Sequence, residues 1–175
     1  MRAAADLLRE VGVRATTAEA IAARAGVSKA TLYKWWPNKT AMAIEAFDAH
    51  MSDEVRIPDT GSVRDDLTLQ LRDLVSFLAG PDGRILVELV AEAQTTPEAT
   101  RDLQERFLKP RRSAARVLWE RGVDRGEFRR DVDAELAIDL IYGPILSRLL
   151  TGAFTPVASA VPTYVEALLT GLGNY

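Results

Sequence analysis

The chain of 175 residues contains no cysteine, so it can form neither a disulfide nor a thiolate metal site. Its single histidine, His50, excludes a cluster of several histidines around a metal. No Ser/His/Asp set, glycine-rich phosphate loop or internal repeat can be read in it. An enzyme built on this chain would have only carboxylates for acid–base work, so the expectation is a protein that is not an enzyme and uses no cofactor or metal. No apolar run approaches the roughly 20 residues of a membrane span, and nothing at the start resembles a signal peptide. A soluble, cytoplasmic protein with no membrane partner is the expectation. No polar/apolar alternation of useful length is present, which argues against strands.

What remains is helical spacing almost throughout, in a chain that is 47% hydrophobic and long enough to bury a substantial core. Ala4, Leu7, Leu8 and Val11 form one stripe ending at Gly12. Residues 16–39 read TTAEAIAARAGVSKATLYKWWPNK. Thr16 and Thr17 offer capping hydroxyls, with Glu19 as capping-box partner to Thr16. Ala18, Ile21, Ala22 and Ala25 share a face, and Gly26 supplies a left-handed stop with Val27 beneath the corner. Ser28 caps a second helix with Leu32 inward. Two helices crossing on small residues around a glycine turn are the cue for a helix-turn-helix. From Arg24 to Lys39 there are four basic residues and no acidic one, and three of the chain's four lysines fall here. Such a helix can enter a major groove by its first turn, with its flanks on phosphates.

The stretch AIAARAGVSKATLYKWWPNK closely resembles the DNA-binding signature of the TetR family of bacterial one-component transcriptional regulators. The resemblance covers roughly the first fifty residues. It implies that Thr17, Tyr33, Trp35 and Lys39 hold phosphates and that Ser28, Lys29, Ala30 and Thr31 form the groove-entering turn, with Lys29 as base reader and Lys34 exposed beside them. Trp36 falls in the family's packing position. The short basic arm that often precedes the first helix in the family has no counterpart here, so this segment is expected to supply nearly all the DNA affinity.

Net charge supports a one-ended contact. The total is −3, but residues 1–50 hold seven basic and five acidic residues (+2), leaving fifteen and twenty (−5) for the rest. Beyond the head, Pro37-Asn38-Lys39 starts a fourth helix running toward Met51, and Ser62 with Asp65 opens another through Leu78. Gly80-Pro81-Asp82-Gly83 is a break before an apolar helix from Ile85 to Ala93. Thr96-Pro97-Glu98 caps a helix to about Arg121, kinked at Pro110; a further helix through Leu136 to Leu150 is bent near Pro144, and a last one covers 161–172. The expected fold is all-α, with a three-helix DNA-binding head carrying the helix-turn-helix in residues 1–47. A larger helical ligand-binding and dimerisation domain follows in 48–175.

Residues 142–152, YGPILSRLLTG, and the segment before them also resemble the regulatory domain of one subgroup of the family. Membership implies pairing through the last two long helices, with Ile138, Ile141, Ile145, Leu149, Tyr164, Leu168 and Leu172 at the interface. The same residues could instead face only their own core. Expected walls of an effector pocket are Phe77, Leu86, Leu89, Phe107, Trp119 and Tyr142, each of which is also an ordinary core residue type. Glu88, Glu92 and Arg148 interrupt apolar helices, either as a buried ion pair or facing solvent or a partner. The functional expectation is a ligand-responsive repressor that binds double-stranded, palindromic operator DNA as a homodimer. A small hydrophobic or amphipathic effector would release it. The alternative is a helical interaction module of the same fold without operator binding.

Overall fold

In the computed structural model, which describes residues 1–173, the chain is helical with no strand among the described residues. One isolated bridge pairs Phe128 with Gly173. The helices are α1 (Arg2–Ala15), α2 (Ala18–Ala25), α3 (Lys29–Tyr33), α4 (Lys39–Glu54), α5 (Val63–Ala79), α6 (Pro81–Ala93), α7 (Pro97–Leu103), α8 (Lys109–Asp124), α9 (Ala134–Leu150) and α10 (Val161–Leu172). A π-helical turn, Gln104–Leu108, joins α7 to α8. None of these helices is long and apolar enough to cross a membrane. The all-α expectation holds.

The chain packs as two compact units, Met1–Glu54 with Gly80–Pro110, and Val55–Ala79 with Arg111–Tyr175. This division differs from the expected one at residues 47 and 48. In the first unit α6 lies against α1 and α4, and α7 and the π-helical turn lie against α4. Leu7 and Leu8 of α1, Met42, Ile44 and Phe47 of α4, Ile85, Leu86 and Leu89 of α6, and Phe107 of the π-helical turn are all buried. The Phe47 and Phe107 rings sit 5.6 Å apart at 54°, a tilted geometry that aromatic pairs favour. Segment 80–110 thus supplies much of the apolar surface under the head.

Gly12 is a kink in α1 rather than its end. Its φ of 82° is open to glycine at little cost, and the helix resumes for another turn to Ala15. Glu88 takes over the amide that the kink leaves unpaired, accepting from Val13 N–H at 2.7 Å. A Cβ at Gly12 would lie 2.9 Å from a Glu88 oxygen. Glu88 is therefore a backbone cap, with Arg84 nearby at 3.8 Å. The break at Gly80 to Gly83 is a helix start, because Pro81 stands in the first turn of α6, where its missing N–H costs nothing. At Pro110 the expected kink is absorbed one turn earlier. Proline offers no N–H to the carbonyl four residues back, and the wider π turn lies immediately before it.

In the second unit α10 packs on α5 and α9, burying Leu67, Leu71, Ile138, Ile141, Val165 and Leu172. Asp66 is buried and accepts from the amide and hydroxyl of Thr60, each at 2.7 Å, and from Arg125 at 3.2 Å, so it ties the 58–62 turn to α5 and α8. Tyr142 donates to Gln70 at 2.5 Å, and burial pushes its hydroxyl pKa well up, keeping it a donor. Trp119 stacks on Phe128 with centroids 4.3 Å apart at 20°. That stack fits because residue 122 is glycine: a Cβ there would lie 2.3 Å from the Phe128 ring and 2.6 Å from Val63. Gly122→Ala is expected to destabilise the chain by about 1–3 kcal/mol, the range for overpacking a full core. Urea unfolding of the variant beside the wild type measures this.

Candidate nucleic-acid interface

The interface is built from α2, α3 and the start of α4. Thr17 caps α2, accepting from Ala20 N–H at 3.1 Å. Thr16 is buried and donates instead to Gly12 O at 2.7 Å, so the expected capping box between Thr16 and Glu19 does not form. At Gly26, φ is 68°, and Val27 N–H returns to Ala22 O at 3.0 Å, closing α2 with a left-handed glycine. The side chain of Val27 is exposed rather than beneath the corner, which Ile21, Ala22 and Leu32 fill. The left-handed glycine turns the chain outward at that point. Ser28 caps α3, accepting from Thr31 N–H at 3.1 Å, while the two hydroxyls meet at 2.9 Å.

With only Leu32 inward, α3 presents Lys29, Ala30, Thr31 and Tyr33, and Lys34 and Trp35 follow, all exposed. Trp35 is 70% exposed, a large apolar surface facing water that a partner could cover. Two of the four cations in this stretch are engaged within the chain. Arg24 makes a two-pronged bond to Glu10, each prong 2.7 Å, and Lys29 pairs with Glu19. The Lys29 hydrogen bond holds the Glu19 carboxyl below its ordinary pKa, and the same bond raises the pKa of Lys29. To read a base, Lys29 has to leave Glu19. Among the described residues Lys34 and Lys39 carry no ion pair, which leaves both ammonium groups open to an external anion.

Thr17, Tyr33 and Lys39 come together around one open cleft of about 410 Å³, with Ala18, Glu19, Pro37 and Asn38 completing its walls. Two helix starts border it. Thr17 caps one, and Asn38 caps the other, accepting from Ala41 N–H at 2.7 Å. Helix starts carry unpaired N–H groups and the positive end of the helix dipole, so this cleft offers a tetrahedral anion amide, hydroxyl and ammonium donors at once. Trp35 is not among its lining residues.

The supports of this cleft are only partly visible in the sequence. Asn38, a polar side chain just before a helix, is a legible cap. Its amide also donates to Asp102 at 3.0 Å, a partner 64 residues away that no local pattern indicates. Trp36, expected only to pack, is half-buried and donates its indole N–H to Glu45 at 2.7 Å.

The regulatory residues fare differently. Leu86, Leu89 and Phe107 fill the core of the first unit; Phe77 and Trp119 are buried and Tyr142 half-buried in the second. Trp119 also borders an open groove of about 650 Å³ with Glu120, Val123, Asp124 and residues 130–134, a wall too polar for the apolar pocket that was expected. Of the expected dimer contacts, Ile138, Ile141 and Leu172 are buried in their own unit, as the alternative of an own-core role implies. Ile145, Leu149, Tyr164 and Leu168 are half-exposed, and the Tyr164 hydroxyl donates to Ile141 O at 2.8 Å. The outward apolar surface of α9 is instead Leu136, Leu140 and Leu150, because its period places the branched residues inward.

Comparisons with known proteins bear on both halves of the chain. The family model described as bacterial regulatory proteins, tetR family, matches residues 1–46, and the model described as tetracyclin repressor-like, C-terminal domain, matches 57–168. The chain is similar to an uncharacterised HTH-type transcriptional regulator, YdeS of Bacillus subtilis, at 43% identity over 86% of this chain and 76% of that one. It is similar to the crystal structure of the TetR family transcription regulator SCO0332, with TM-score 0.90 and 35% identity over 98% and 94% of the chains. The regulator FadR from Bacillus subtilis, solved in complex with stearoyl-CoA, shares the fold at TM-score 0.72 and 22% identity over 97% and 96%.

The two caps can be tested apart from any ligand. Thr17→Ala and Ser28→Ala should each cost about 1 kcal/mol of stability, and Ser28→Asp should recover most of the second loss, because aspartate also caps. Thermal melts read by circular dichroism measure both.

Proposed function

The chain belongs to the TetR family of HTH-type transcriptional regulators, and on that footing we propose that it binds a palindromic operator as a homodimer, as a repressor, through α3 and the cleft beside it. The observation that carries this reading is the convergence of Thr17, Tyr33 and Lys39 on one cleft flanked by two helix starts. A backbone phosphate seated there fixes the register of α3, and Lys29, Ala30 and Thr31 then meet base edges in the major groove. Glu19 stands in as the anion for Lys29 until DNA replaces it. Phosphate contacts set affinity and its salt dependence, while Lys29 sets sequence preference.

Dimerisation is supported by the outward face of α9. Leu136, Leu140, Gly143, Ser147 and Leu150 recur at alternating spacings of four and three, the seam of a helix-to-helix packing. The outward positions of α10, Thr163, Ala167 and Gly171, are small and let a second helix approach. Two such helices from each copy make a four-helix interface whose twofold axis presents two heads to one duplex. The acyl chain in the FadR complex supports an amphipathic effector. Such a ligand releases DNA only as far as it binds the DNA-incompetent conformation more tightly.

Three outcomes test the reading on duplexes from the region flanking its own gene. Lys39→Ala should weaken binding on all sequences and lower the slope of log K against log salt by about one for each phosphate no longer neutralised. Lys29→Ala should in addition relax base preference at one half-site position; unchanged preference removes Lys29 as base reader. Leu140→Asp should turn the dimer into monomers in analytical ultracentrifugation and cost about a hundredfold in operator affinity, since the two heads then bind unlinked. Dimers that persist with Leu140→Asp place the interface elsewhere.

A further inference from the structure

Five side chains close a polar ring behind the proposed DNA cleft, and none of them is among the expected DNA contacts. Asn38 caps α4 through Ala41 N–H at 2.7 Å and donates its amide to Asp102 Oδ2 at 3.0 Å. Asp102 Oδ1 accepts from Arg106 Nε at 3.0 Å. Arg106 Nη1 donates in turn to Glu45 Oε1, and Glu45 Oε2 accepts the Trp36 indole N–H at 2.7 Å. Trp36 and Asn38 are the exit of the recognition segment and the cap of the next helix, so the ring clasps both ends of the turn that places Lys39.

Every carboxylate oxygen of the ring has a donor. Both oxygens of Asp102 and both of Glu45 accept, and Arg106 spans the two carboxylates with separate nitrogens. Asp102 is only 15% exposed, which sets this network apart from the solvent-facing pairs at Lys29 or Lys109. Register matters as well. Arg106 and Phe107 lie in the π-helical turn, and Phe107 meets Phe47 while its neighbour Arg106 meets Glu45, two residues earlier on α4. An ordinary α turn there would rotate the following side chains by roughly 100° per residue added or removed. Both side chains of this turn reach α4.

We propose that Asp102 and Arg106 are positioning residues for DNA recognition: from outside the helix-turn-helix they fix Asn38 and Trp36, and with them the start of α4 and the phosphate cleft. This rests on the DNA-binding reading above. It places part of the DNA-binding apparatus more than sixty residues beyond the helix-turn-helix.

Full-length Asp102→Ala and Arg106→Ala are compared with wild type by hydrogen exchange and by DNA titration over a range of salt. Exchange at the Ala41 amide should rise at least about tenfold in Asp102→Ala, as a capping bond is loosened, while amides of α9 stay unchanged. Operator affinity should fall about tenfold, with a shallower salt slope because Lys39 no longer reaches its phosphate. A purely structural role would lower the melting temperature and leave the slope alone. Arg106→Lys, which keeps the charge but not the two-sided fork, should bind between wild type and Arg106→Ala and serves if either alanine variant fails to fold. Unchanged exchange at Ala41 overturns the proposal whatever DNA does. So does wild-type affinity and slope in Asp102→Ala. If the wild type itself shows no salt-sensitive binding, the DNA-binding reading falls, and the exchange at Ala41 alone decides the ring.

Discussion

The head of this protein depends on the burial of α1 and α4 against a segment that comes 26 or more residues after α4 ends. Helices α1 to α4 span little more than fifty residues, and α2 and α3 expose most of their surface. Chains of that size are marginal on their own. Here α6, α7 and the π-helical turn complete the core, with Leu86, Leu89 and Phe107 beside Leu8, Ile44 and Phe47. Polar contacts follow the same division. Glu88 caps the kink in α1, buried Asp82 meets Arg9 at 3.6 Å and His50 at 3.5 Å, and Asp102 holds Asn38. Segment 80–110 therefore sets the geometry of a head whose sequence looks self-contained.

That arrangement explains how so short a recognition helix can have a defined position. A five-residue helix is far below the length at which a helix persists alone in water. α3 is held by its Ser28 cap, by Leu32 beneath it and by Trp36 at its exit. Its outward residues are then free of packing duties, and Lys29 pairs with Glu19. The local basic excess is small, and among the described residues Lys34 and Lys39 carry no ion pair. Lys39 and the two helix starts border one cleft, so a protein with a net charge of −3 still carries a local site suited to an anion.

Local chemistry was legible in the sequence, and long-range packing was not. The glycine at 26, the caps at Thr17 and Ser28, the helix starts at Asn38 and Thr96 and the all-helical class follow from residue types at fixed spacing. Gly12 misled, because a glycine commonly closes a helix, and the Glu88 carboxylate that accepts from Val13 N–H at the kink lies 75 residues away in sequence. At Ile138, Ile141 and Leu172 an apolar stripe shows that a face is covered and says nothing of whether the cover is its own chain or another. The boundary between the units was hidden because α5 belongs to one and α6 to the other, with only Gly80 between them.

The claim that segment 80–110 is part of the head is tested most directly by native-state hydrogen exchange of the full chain at low denaturant. The slowest amides of α1, α4 and α6 should share one opening free energy and one dependence on denaturant, since they unfold as one cooperative unit. Opening of α1 and α4 together at a lower free energy, while α6 stays protected, would contradict that claim and make the head a separate module.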